Sequence, residues 1–221
     1  SSIDCRCLAL RMQLAFELGE IDQTEVYLER LLDAMRLAPP GPNFEYAVPA
    51  LGIPLAARVS GAPRHIEVAE AAADTILTAA HSSPFVLWGA RAGLGFLAVQ
   101  RGDSAAATDH YASLASSRGT AWVNFSLALD RLLGLLAQTM GNGDQAAEHF
   151  EDALAFCRKG GYPPELAWAC CDYADTLLQR DNEGDHAKAM SLLDESLAIS
   201  SELGMRPLME RVLSRRNILK A

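Results

Sequence analysis

Apolar residues recur at three- and four-residue spacing along almost the whole chain, and no segment alternates apolar and polar residues over several positions. The pattern breaks at clusters rich in Gly, Pro, Asn and Asp. Among them are APPGPN (38–43), SGAPR (60–64), HSSP (81–84), RGDS (101–104), GNGD (141–144), KGGYPP (159–164), DNEGD (181–185) and GMRP (204–207). Such clusters end and start helices. They divide the chain into about eleven helices of roughly 12 to 20 residues each. Asp22, Ser83 before Pro84, Asp103 or Ser104, and Asp144 stand where N-caps are expected. The expected fold class is all-α.

The helices that follow the Gly-containing turns share a frame: a small residue, a bulky or apolar one four positions on, and a small or apolar one three later. It reads Ala146, Phe150, Ala153 in GNGDQAAEHFEDAL and Ala189, Leu193, Ser196 in GDHAKAMSLLDESL. It also reads Ala69, Ala73, Ile76 and Thr24, Leu28, Leu31, with Ala107 and Tyr111 in GDSAAATDHYASLA. The first members are spaced by 45, 38, 39 and 43 residues. A second marker, Leu-Gly, lies in the preceding helices at 51–52, 94–95 and 133–134, with intervals of 43 and 39. Two markers drifting together predict a repeated helical hairpin. Gly in the first helix allows close approach, Ala in the second sits at a crossing, and the bulky residue fills the groove beside it.

This frame, the Leu-Gly pairs and the period near forty resemble tetratricopeptide repeats in a long form. The final stretch, HAKAMSLLDESLAISSELGMRPLMERVL, is similar to the C-terminal arrays of MalT-like LuxR-family regulators and nucleotide-cyclase-linked signalling ATPases of bacteria. The resemblance implies one repeat domain over 1–221: a right-handed superhelix, or α-solenoid, of about five hairpins. Their expected bounds are 3–38, 44–80, 84–118, 120–160 and 164–203, with a capping helix at 207–219. Departures are Thr24 in place of Ala, Arg11-Met12 and Tyr173-Ala174 in place of Leu-Gly, and Pro49 and Pro54 within one helix. Pro54 is expected to kink that helix, because it lacks an N–H. The capping helix is expected to present Arg211, Arg215, Arg216 and Lys220 to water.

Carried onto the repeat pattern, the first helices line a concave face. The partner-binding candidates there are Tyr46, Ile53, Phe96, Gln100, Arg131, Leu135, Gln138, Trp168, Asp175 and Gln179. Exposed aromatics beside Arg and Gln suit capture of a peptide or helix. Phe96 and Trp168 fit the core between repeats equally well.

Net charge is −9 and half the residues are hydrophobic. An acidic surface repels phosphate backbones, which disfavours direct nucleic-acid binding. The five cysteines are odd in number, and Cys170 and Cys171 are adjacent. No disulfide framework is visible, so a reducing cytoplasm is expected, with the thiols packed as filler. No apolar run spans a membrane. The chain begins SSIDCRC without Met, and it is expected to be the C-terminal part of a longer protein.

No pair of histidines has i, i+4 spacing near a third ligand, so no metal is expected. His110 and His149 share a repeat position, which places them on helix surfaces. SSRGT and HSSP lack the preceding strand of a nucleophile elbow, and no phosphate-binding Gly-rich loop occurs. Carboxylate pairs such as Glu148 and Glu151 read as a solvated face.

The expectation is therefore a non-catalytic module without cofactor. It would bind a protein, a peptide or itself, or sense a signal, while an ATPase, cyclase or DNA-binding module lies upstream. The alternative is a small-molecule-effector sensor with a closed pocket lined by Tyr46, Phe96 or Trp168. An enzyme is the remote third reading.

Overall fold

The computed structural model describes residues 2–61, 64–122 and 125–220, with side chains described within 4–218. It is 82% helical. The helices are α1 (Ser2–Leu18), α2 (Ile21–Leu37), α3 (Phe44–Ser60), α4 (Ile66–Leu77), α5 (Pro84–Arg101), α6 (Ser104–Leu114), α7 (Leu129–Thr139), α8 (Gly143–Gly160), α9 (Pro163–Arg180), α10 (Asp185–Leu203) and α11 (Arg206–Lys220). A 3-10 turn at Ala115–Ser117 follows α6. The chain divides into two compact units, Ser1–Gly102 and Asp103–Ala221.

In the first unit α1 packs on α2 and α3, and α3 packs on α4 and α5. Helix α2 also meets α3, and α4 meets α5. First helices thus lie on first helices, and each second helix sits against its own partner and the next first helix. Helix α3 is buried continuously from Ala47 to Ala57. An apolar circumference needs neighbours on every side, and four helices supply them here. Pro49 and Pro54 lie inside α3, which continues through both. Pro54 cannot donate to the Ala50 carbonyl four residues back. That carbonyl is the point of closest approach of α5: a Cβ built on Gly93 would stand 2.0 Å from the Ala50 oxygen. The close approach of α5 thus falls at Gly93, immediately before the Leu94-Gly95 marker.

In the second unit α6 packs on α7, α7 on α8 and α9, α8 on α9, α9 on α10, and α10 on α11. Ala146, Phe150 and Ala153 of α8 are fully buried. A Cβ at Gly134 of α7 would meet the Phe150 ring at 2.9 Å, and that ring stacks on Tyr173 of α9 at 5.3 Å. Small, bulky and small residues thus interlock where helices cross, as the frame requires.

Among the described residues, side chains at three N-caps accept backbone N–H bonds: Asn43 from Tyr46, Ser83 from Val86 with Pro84 next in line, and Asp103 from Ala106. Asp22 and Asp144 lie in first turns, and the capping positions are Glu20 and Asn142. Negative charge in a first turn still suits the helix dipole.

Two local expectations are corrected. The helix placed after residue 120 begins only at Leu129. Before it, β1 (Ala121–Trp122) and β2 (Leu127–Ala128) pair antiparallel, with Ala121 opposite Ala128. The basic side chains of α11 do not simply face water. Arg211 reaches Asp172 and Asp175, Arg215 reaches Asp175 at 2.8 Å, and Arg216 reaches Asp194 at 2.9 Å. The side chain of Lys220 lies outside the described residues.

Candidate functional site

Asp130 and Arg131 are adjacent on α7, so their side chains leave the helix about 100° apart. Both are buried, at 2% and 3% exposure. Each organises a polar cluster within the second unit.

Arg131 points to α9. Its Nε donates to Asp172 Oδ2 at 2.9 Å, and its Nη1 donates to Glu165 Oε2 at 2.8 Å. The other Glu165 oxygen accepts the Ala128 backbone N–H at 3.0 Å, which ties β2 to α9. Arg211 approaches the second Asp172 oxygen at 3.3 Å. Both guanidiniums lie over the Trp168 ring, at 5.4 and 5.8 Å from its centroid. Burial by itself would lower the pKa of Arg131, but Glu165 and Asp172 outweigh it and push the group up, so it stays charged.

Asp130 points to α8. Its Oδ1 lies 3.0 Å from His149 Nδ1, and its Oδ2 accepts the Gly119 N–H at 2.6 Å. An ionised carboxylate only accepts, so Nδ1 carries the proton. The far nitrogen, Nε2, lies 2.8 Å from the Tyr111 hydroxyl, which donates to it when the ring is neutral. His149 is 4% exposed. This corrects the helix-surface reading: α6 and α7 close over it, whereas His110 is half-buried. Beside the cluster, Arg118 pairs with Asp152 at 2.5 Å.

Burial would raise the pKa of Asp130, but the bonds from His149 and Gly119 outweigh it and hold the carboxyl below its ordinary value of 3.8. A depressed folded pKa contributes stability above the ordinary carboxylate range and loses it as pH falls through the folded value. The wild type should therefore lose thermal stability below about pH 4 more steeply than Asp130→Asn. Parallel melting curves across that range measure the difference.

Five of the sequence-derived groove residues are interior and unavailable to a partner. Ile53, Phe96, Arg131, Leu135 and Trp168 are all at most 3% exposed. For Phe96 and Trp168 this is the core placement, and for Ile53, Arg131 and Leu135 it replaces the expected groove. Tyr46 is half-buried beside the α3–α4–α5 core. Gln100 is exposed and donates to the Pro54 carbonyl at 3.0 Å. Gln138 and Gln179 bond to each other at 2.7 Å, and Gln138 also accepts from Thr176. Asp175 is half-buried and held by Arg211 and Arg215. Sequence reasoning passed over Glu165, Asp172, Asp130 and His149 as partners. A usable signal was Glu165, Trp168, Asp172 and Asp175 at helical spacing on one side of α9.

The thiols of Cys157, Cys170 and Cys171 are buried. Burial pushes Cys157 and Cys171 up to about 12, which leaves them un-nucleophilic at neutral pH. Exposed apolar side chains gather elsewhere. In the first unit Leu10 and Leu14 of α1 are 49% and 61% exposed, with Cys7 exposed one turn before Leu10. No described helix is long and apolar enough to cross a membrane.

Comparison with family models, with curated proteins and with solved structures finds no match to this chain.

Proposed function

We propose that the chain is a non-catalytic interaction module built of tetratricopeptide-like hairpins in a right-handed α-solenoid. It would serve protein–protein contact or signal sensing within a larger cytoplasmic bacterial regulator, whose ATPase, cyclase or DNA-binding chemistry resides elsewhere. The packing order within each unit supports the hairpin reading, with first helix on first helix and second helix in between. The observation that carries the binding reading is the outer face of α1. Cys7, Leu10 and Leu14 form an exposed stripe at three- and four-residue spacing. An amphipathic helix laid along it would cover the stripe, whereas Asp130, Arg131, His149, Glu165 and Asp172 of the second unit are buried and bonded to one another.

The test is Leu10→Asp with Leu14→Asp. Exposed positions tolerate such changes within about 0.5 kcal/mol. Association should fall at least tenfold, read by sedimentation for self-association and by quantitative co-purification for other proteins. A control at exposed Glu148 of α8 should leave association unchanged. Equal association by all three proteins would refute α1 as the contact face.

A second reading has one observation in its favour. A cleft of about 670 Å³ opens between α1, α2 and the start of α3, with Asp4, Arg30, Asp33 and Glu45 around Leu8 and Leu37. An effector sensor would use it, although Tyr46, Phe96 and Trp168 are not among its lining residues. A cationic or zwitterionic effector would then raise the melting temperature, and Asp33→Asn would remove the shift.

A further inference from the structure

We propose that Asp130, His149 and Asp152 form a binding site for a divalent transition metal, zinc foremost. One ligand atom from each lies within 4.8 Å of the other two. The two inner donors, Asp130 Oδ1 and His149 Nδ1, are already 3.0 Å apart. Tetrahedral zinc with bonds near 2.0–2.1 Å holds its donors roughly 3.3 Å apart, so the inner pair needs almost no adjustment. Asp152 closes the set from the half-exposed rim, where its side chain needs to swing inward by no more than about 1.5 Å, from at most 4.8 Å to the roughly 3.3 Å donor spacing. One imidazole and two carboxylates leave a fourth position open to water, which suits zinc better than the oxygen-only ions.

The surroundings resemble the outer shell of a metal site. A ligating histidine ordinarily has its other ring nitrogen fixed by a hydrogen bond, and a ligating carboxylate is itself bonded. Both conditions are met. Tyr111 Oη stands 2.8 Å from Nε2, and the Gly119 N–H stands 2.6 Å from Asp130 Oδ2. On binding, the proton passes from Nδ1 to Nε2. Nδ1 then offers its lone pair to the metal, Nε2–H donates to the Tyr111 oxygen, and no net proton is lost. Without metal, Asp130 accepts from Nδ1, and Arg118 occupies Asp152. Arg118 is thus the internal competitor: its charge on Asp152 Oδ2 opposes entry of a cation beside it.

That competition supplies the test. Zinc alone is added to the full chain, excess is removed by gel filtration, and retained metal is counted by mass spectrometry. Affinity is measured by titration against a chromophoric chelator. The expected result is one zinc per chain. Asp152→Asn, at a half-exposed position, should weaken it at least about tenfold, and Tyr111→Phe by roughly 10- to 100-fold. Arg118→Gln should tighten it. Cobalt substitution should give the visible absorption of a four-coordinate site in the wild type and lose it in Asp152→Asn. Zinc held equally by wild type, Asp152→Asn and Arg118→Gln would place it at another histidine and overturn the proposal. So would absence of uptake by both wild type and Arg118→Gln.

Discussion

Arg131→Met is expected to destabilise the second unit by about 3–5 kcal/mol, enough to abolish a cooperative fold in a marginal domain. The side chain is 4% exposed, and its two carboxylate partners are 5% and 0% exposed. Removing the guanidinium leaves Glu165 and Asp172 charged in an interior where Arg211, at 3.3 Å from one Asp172 oxygen, replaces only part of the lost contact. Breaking a buried ion pair costs far more than the pair contributes over an apolar substitute, because the stranded charge has lost its water. Two comparisons isolate that cause. Adding Glu165→Gln and Asp172→Asn to Arg131→Met removes the charges while keeping the shapes, and should recover much of the loss. Protonation at low pH removes them as well, so the deficit against wild type should narrow as pH falls from about 7 toward 4. Urea unfolding followed by circular dichroism reads both. A deficit under about 1 kcal/mol, or one independent of pH, would mean that water reaches these carboxylates. The same substitution cannot test partner binding, because the residue is not at a surface.

The helices were legible because the apolar period and the breaker clusters are local signals. Ser83-Pro84 announces the start of α5 through side-chain chemistry alone, and the Ala146–Phe150–Ala153 triplet announces the buried side of α8. The stretch 121–128 was not legible. Its residues are mostly apolar and fit a helical period, but long-range bonds decide the outcome. Ala128 N–H goes to Glu165 on α9, and Ser126 adopts a positive φ of 45°. Neither the partner nor the turn has a marker within the segment.

The polar clusters failed to show for a related reason. A one-residue error in assigning a helix side turns a side chain by about 100°. Arg131 does not face a groove: Asp130 and Arg131 both enter the interior on different sides. Their partners lie 19, 34 and 41 residues away, beyond any spacing rule within a helix. The α11 arginines, expected to face water, are instead counter-ions: Arg211 lies against Asp172 and Asp175, and Arg215 against Asp175.

Gly93→Ala should be the most damaging small substitution in the first unit. In an exposed helix interior this change gains about 1 kcal/mol, because alanine restricts the unfolded chain and favours helix. Here the added methyl would stand 2.0 Å from the Ala50 carbonyl oxygen and 3.1 Å from the Leu51 Cα. Both obstacles are backbone, so no side chain can turn aside. Relief requires α5 to move away from α3, which opens the packing of Ala47, Ala50, Val86 and Ala90. Overpacking of this kind costs about 1–3 kcal/mol and more where the backbone must shift, which exceeds the helical gain. Gly134→Ala supplies the comparison. There the methyl meets the Phe150 ring at 2.9–3.0 Å, a side chain that can give by tenths of an ångström, although its stack on Tyr173 limits how far. The expected order of unfolding midpoints is wild type, then Gly134→Ala, then Gly93→Ala, with a net loss of at least about 2 kcal/mol for the last. A Gly93→Ala protein as stable as wild type would show that α5 does not rest on the carbonyl that Pro54 leaves without its helical donor.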